Sequence, residues 1–219
     1  KWLRKRFSPV GWTLVGYYVL MNILVSVAAL KDVAAGYLNA FMNGSDQYVP
    51  DTAALAGNAW GYIVSAAVAL VILYAWKGSQ FWGGEVLKRE KPMKPGIFLC
   101  MMCLCAGTQM VNSVWINLLE LVMNCFGRSA TGTLDAVSGS SDTVSMFLYA
   151  SFLAPISEEL IFRGFVLRLL RPYGKRFAIL GSAFLFGLFH GNLLQTPYAF
   201  LVGLVLGYAA VEYSVGWSM

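Results

Sequence analysis

Charge is the scarcest commodity in this 219-residue chain: only 12% of its residues are Asp, Glu, Lys or Arg, and a single histidine, His190, is present. So low a charge content, set against 58% hydrophobic residues and a mean hydropathy of +0.62, lies outside the range of water-soluble domains. The sequence therefore reads as an integral membrane protein. Cysteine is sparse as well, and Cys100, Cys103, Cys105 and Cys125 all fall within one apolar stretch, which excludes an extracellular disulfide framework. Their CxxCxC spacing is better explained by small polarizable side chains packing in a membrane helix than by a metal site. The net charge of +5 is not spread over an aromatic-interleaved basic surface, so nucleic acid is excluded as a partner. No repeat of fixed period and no second domain is apparent; residues 1–219 read as one transmembrane domain.

What is abundant is apolar sequence of membrane length. With about 20 apolar residues needed to cross the hydrocarbon core, six candidate spans emerge, Pro9 to Leu30, Ala53 to Trp76, Ile97 to Phe126, Val144 to Leu170, Arg176 to Gly191 and Pro197 to Tyr213. The predicted fold class is all-α, a polytopic helix bundle. Basic residues gather in Lys1 to Arg6, Lys77 to Lys94 and Arg168 to Arg176, whereas the segments carrying Asp46, Asp51, Asp135 and Asp142 hold almost none. Lys/Arg enrichment marks cytoplasmic loops, so the N-terminus and the basic loops are expected on the cytoplasmic side. The segment Lys77 to Pro95 should lie at the lipid headgroups as a connector, and Arg128 to Thr143 should form a flexible outer loop. A cleaved signal peptide at the N-terminus is a weaker reading, because the apolar run is long for one and further spans follow.

The third span carries Gln109, Asn112, Ser113, Asn117, Glu120 and Asn124 in a band on one side of the helix, expected to look into the bundle. Two readings stand side by side: interhelical hydrogen bonding, or lining of a substrate cavity. On the second, Asn112 and Glu120, with Phe186, are the candidate substrate-binding residues. Gly203 and Gly207 on the sixth span, and Gly187 and Gly191 on the fifth, have the four-residue interval of close helix packing.

Against this background the run Ala154-Pro155-Ile156-Ser157-Glu158-Glu159-Leu160-Ile161-Phe162-Arg163-Gly164 stands out. A charged side chain near the bilayer centre costs about 2.5 to 3.5 kcal/mol on insertion scales, so charges retained there mark a working site. Pro155 removes one backbone donor and should bend the helix before Glu158. Glu159 and Arg163 are four apart with the acid nearer the N-terminus, the order that favours an ion pair, whereas Glu158 points about 100° away and lacks that partner. At about 1.5 Å per residue Glu158 lies roughly 18 Å from the level of Leu170, and His190 roughly 21 Å from that of Arg176, so carboxyl and imidazole are nearly level. Such a pair has the composition of a general acid/base site acting on a trapped water.

Glu158-Glu159-x-x-x-Arg163 followed by Phe186-x-x-x-His190 on consecutive membrane helices resembles the signature of the CAAX-protease and bacteriocin-processing (CPBP, or Abi) intramembrane endopeptidases, from about Val144 to the C-terminus. The resemblance implies that Glu158 activates the water attacking a scissile carbonyl, that His190 binds or orients that water, that Glu159 with Arg163 supports the site, and that Phe186 packs beside it. It implies as substrate a membrane-associated peptide or a lipidated protein, such as a CAAX-type tail or a leader peptide, with membrane lipids as surroundings. The family also carries a later motif, a second histidine followed after three residues by a polar residue. This chain stops at Met219 without it, so the expectation is either a truncated form of a longer protein or a member lacking part of the site. One histidine and two carboxylates are thin for zinc, so no cofactor is expected, with a zinc site as the alternative. Two other classes compete: a non-catalytic membrane protein, such as a bacteriocin self-immunity factor or complex subunit built around a buried ion network, and an ion or proton transporter.

Overall fold

The computed structural model describes residues 2–44, 59–78, 91–131 and 144–219. Asp46, Asp51, Asp135 and Asp142, most of the basic connector before Pro95 and most of the expected outer loop lie outside the described residues. Every regular element among the described residues is helical: α1 (Trp2–Met42), α2 (Trp60–Lys77), α3 (Pro95–Cys125), α4 (Val144–Tyr173), α5 (Lys175–Phe189), α6 (Thr196–Glu212) and α7 (Val215–Ser218). The protein is an all-α membrane helix bundle. Gly11–Met42, Pro95–Cys125 and Val144–Tyr173 are long and apolar enough to cross a bilayer, and Trp60–Trp76 and Thr196–Glu212 are shorter apolar helices. The fifth expected span is realised as a helix of only 15 residues, short of the length that crosses a bilayer without local thinning.

The chain divides into two compact units, Lys1–Leu73 with Gly132–Pro155, and Tyr74–Thr131 with Ile156–Met219. In the first, α1 and α2 approach closely at Gly61, where an added Cβ would meet the Ala28 Cβ at 2.9 Å. The Ala59 amide donates to Ser145 Oγ at 3.2 Å, and the Tyr62 and Tyr149 rings meet at 5.4 Å.

The second unit is built around α6, which packs against α5, α3, α7 and the inner half of α4. The α5–α6 pair runs antiparallel on small residues. A Cβ on Gly203 would meet Ala183 at 3.0 Å, and one on Gly207 would meet Ile179 at 3.3 Å, so the expected glycine packing on α6 is present. Gly187 contributes from the other side, its missing Cβ leaving room for the Thr196 carbonyl at 2.9 Å. The matching expectation for Gly191 is corrected: nothing approaches it, and at φ +66° it is the left-handed residue that ends α5, its amide donating to the Leu188 carbonyl at 3.1 Å. The cysteine expectation holds only in part, since the thiols are free and Cys105 alone is half-buried while Cys100, Cys103 and Cys125 are exposed on α3.

Helix α4 is not uniform. Its α-helical stretches are interrupted by π-helical turns at Tyr149–Leu153 and Leu160–Val166. Where a bend at Pro155 is expected, the first π turn precedes the proline, and wider winding is one way a helix absorbs a missing donor. The second π turn is deeply buried, with Ile161, Phe162, Arg163, Gly164, Phe165 and Val166 all inside. Widened turns of this kind recur at functional sites.

Candidate active site

The π turn Leu160–Val166 sets the geometry, because it carries an arginine into the core of the second unit. Arg163 has no exposed surface, and its Nη1 lies 2.8 Å from Glu159 Oε1. The contact is an ion pair rather than a well-aligned hydrogen bond, and the other guanidinium nitrogens find no oxygen partner. Their compensation is aromatic. Arg163 Cζ sits 4.4 Å from the centroid of the Phe186 ring, inside the range in which the ring's negative face attracts a cation. Burying a charge is tolerable only with such partners, and here one flank is a carboxylate and the other a π face.

Phe186 then hands the arrangement on to His190. The two rings meet edge to face at 4.9 Å, and Phe162 joins the cluster against Phe186 at 5.0 Å and Phe189 at 5.3 Å. His190 Nδ1 lies 2.9 Å from the Phe186 carbonyl. A carbonyl oxygen only accepts, so Nδ1 carries the hydrogen of this bond and Nε2 is left for another partner. Ser182 completes the seam by donating its hydroxyl to the Phe162 carbonyl at 2.9 Å.

These contacts define the register between the two helices. Phe162 meets Phe186, and further along α4 Leu170 approaches Gly181, whose added Cβ would lie 3.0 Å from Leu170 Cδ1, so α4 and α5 are antiparallel here. One turn back from Phe162 on α4 is Glu158, and one turn on from Phe186 on α5 is His190, which puts both at the same height. Glu158 is only partly buried, whereas its neighbour Glu159 is enclosed. Arg163 interacts electrostatically with both carboxylates and with the Cys105 thiol contributed by α3. Glu159 is therefore committed to the guanidinium, and Glu158 shares its field without contacting it through an ion pair.

The remaining candidates are placed differently. Asn112 is the buried residue of α3, its Oδ1 without a partner. Glu120 accepts the amides of Ala130 at 2.7 Å and Thr131 at 3.2 Å, closing the turn that follows α3. Gln109, Ser113, Asn117 and Asn124 are exposed; Ser113 donates to the Gln109 carbonyl at 3.0 Å and Asn117 to that of Ser113 at 2.9 Å.

Sequence reading missed Phe162, whose signal was its position one turn after Glu158, and Ser182, whose backbone partner on α4 no local pattern reveals. It also missed α7, which packs on the π turn and brings the Ser218 hydroxyl, already donating to the Val215 carbonyl at 2.8 Å, beside the Glu159 carboxylate.

Residues 140–219, the stretch that contains α4 to α7, match the family model described as type II CAAX prenyl endopeptidase Rce1-like. No curated protein and no solved structure matches the chain. The match covers a little over a third of the chain and supports, for this stretch, a likeness to the CPBP family of intramembrane proteases; the long apolar helices support a protein integral to the membrane.

Proposed function

Taking that likeness as the premise, we propose that the chain hydrolyses a peptide bond of a membrane-associated peptide or lipidated protein, with Glu158 and His190 acting on one water. The observation that carries the reading is the split between two adjacent carboxylates: Glu159 is held by Arg163 at 2.8 Å, and Glu158, level with the His190 imidazole, is left with a partly open carboxyl. General acid/base work requires a group that is positioned but not already spent.

In the proposed reaction the water accepts orientation from His190 Nε2 and gives its proton to the Glu158 carboxylate as its oxygen attacks the scissile carbonyl carbon. The tetrahedral intermediate collapses with cleavage of the C–N bond, and the proton held by Glu158 passes to the departing amine. Glu158 is thereby returned to its starting form. Glu159 and Arg163 hold the π turn and so fix where Glu158 stands, while Phe186 shields the guanidinium and gives the imidazole its edge contact. Asn112 and Glu120 of α3 are proposed on the substrate side.

No metal enters this scheme. Zinc proteolysis needs about three protein ligands around one ion, and among the described residues no three of His, Cys, Asp and Glu come together in that way. The donor set offers one imidazole and one uncommitted carboxylate, which suits a water-activating pair and not a zinc cage. The substrate reaches the site laterally or from the cytoplasm, and the basic loops and N-terminus are proposed to lie on the cytoplasmic face.

The experiment is cleavage of a membrane-reconstituted farnesylated CAAX peptide by the chain and by Glu158→Gln and His190→Ala. Both substitutions should remove turnover without lowering the melting temperature. Turnover retained in Glu158→Gln sinks the reading.

A further inference from the structure

The imidazole that this reading depends on sits at the very end of a helix, where chains fray. His190 is the residue after Phe189, the last of α5, and Gly191 at φ +66° turns the chain away at once. Within the helix the ring is held only by Phe186, through its carbonyl and its ring edge, so a shift of the helix end carries the imidazole with it, and a displacement of an ångström costs a positioned group about 10²-fold in rate.

Two side chains outside the family's signature residues close this gap. Asn192 spans the turn between α5 and α6: its Nδ2 donates to the His190 carbonyl at 3.2 Å and to Gln195 Oε1 at 3.0 Å, and its Oδ1 accepts the Gln195 amide at 2.8 Å. One amide group therefore clamps the end of α5 to the start of α6. The next residue, Leu193, is tied to a different helix, because its carbonyl accepts the indole Nε1–H of Trp115 at 2.8 Å. Trp115 belongs to α3 and lies outside the matched stretch 140–219. Thr196 and the buried Leu194 hold the turn to α6, and the indole bond is the tie that joins it to α3.

We infer that Trp115 and Asn192 are positioning residues for His190, fixing the turn so that the imidazole, bonded through Nδ1 to the Phe186 carbonyl, keeps Nε2 level with Glu158. The inference rests on the proposed role of His190, and it gives α3 a function in the site besides packing.

Because His190 is the only histidine, the chain labelled with ¹⁵N/¹³C-histidine and held in phosphatidylcholine nanodiscs yields a single imidazole spectrum. The variants are Trp115→Phe, which keeps the aromatic surface and removes the donor, and Asn192→Asp, which keeps the acceptor for Gln195 and removes the donation to His190. Trp12→Phe, at an exposed position on α1, is the control. The native chain and the control should show one sharp ring with hydrogen on Nδ1. Each of the two variants should broaden the ring signals or split them between tautomers, and lower kcat about tenfold with KM within about twofold. Unchanged ring signals in both variants overturn the inference, and so does a fall in kcat with the ring undisturbed. If the ring signals respond while the native chain cleaves no CAAX peptide, positioning stands and the endopeptidase reading fails.

Discussion

Helix α3 and the buried half of α4 are both apolar and both carry acids and other polar groups, yet they satisfy those groups in opposite ways. On α3, Ser113 and Asn117 bond the carbonyls one turn back on their own helix, and Glu120 caps the turn directly after it. On α4, the Glu159–Arg163 pair is local, but the guanidinium is completed by Phe186 of α5, and the Phe162 carbonyl is met by Ser182 of α5. Polar groups that close on their own helix ask nothing of a neighbour, and on α3 it is Trp115 that reaches across, to the Leu193 carbonyl. Groups completed across helices make the neighbours part of the site, and this is the arrangement in which substitution should be expensive.

The contrast is open to direct tests. The largest effect belongs to Glu158→Gln, which should lower CAAX-peptide turnover by about 10²- to 10⁴-fold, the range a general acid/base supplies, with thermal melting unchanged. Arg163→Ala comes next: it leaves Glu159 buried without its cation and should cost about 3–5 kcal/mol of stability, read as loss of folded protein in detergent. The double change Glu159→Leu with Arg163→Met should recover much of that loss, since a well-packed apolar pair can replace a buried ion pair. A folded Arg163→Ala chain of native stability would erase the distinction between the two regions. Smaller again is Gly203→Ala, whose methyl must enter space where Ala183 lies 3.0 Å away; a loss of about 1–3 kcal/mol is expected by chemical denaturation. The counterpart on α3, Gly107→Ala, meets no atom within 4 Å and should be neutral or stabilising by up to about 1 kcal/mol. Asn117→Ala, which breaks only a bond to its own helix, should stay within about 0.5 kcal/mol of the parent.

What was legible beforehand follows the same division. The third to sixth helices could be read from apolar length alone, whereas the first, expected to end at Leu30, runs on to Met42 and α7 was not foreseen; the Glu159–Arg163 pair could be read from a four-residue spacing, a property of a single helix. The small-residue contact of Gly203 with Ala183 was half-legible: the glycine interval shows, its partner does not. Gly191 misled for a physical reason, since a glycine at a packing interval and a glycine that ends a helix look alike until φ is known. The π turn around Arg163 was hidden as well. Helical periodicity assumes one bond pattern throughout, so the wider winding of Leu160–Val166 leaves no mark in it. Trp115 and Asn192 were beyond reach because their partners are backbone carbonyls, which carry no residue-specific mark.

By itself, then, the order of residues determined that the chain enters a bilayer, where its helices run, and that Glu159 and Arg163 share a face, since hydrophobic length and helical spacing are local quantities. Only the tertiary structure decided that the buried guanidinium is completed by the Phe186 face, that the Phe162 carbonyl meets Ser182, and that a tryptophan of α3 bonds the turn after α5. Those outcomes depend on groups far apart in the chain meeting across helix pairs, and distance along a sequence says nothing about which pairs will meet.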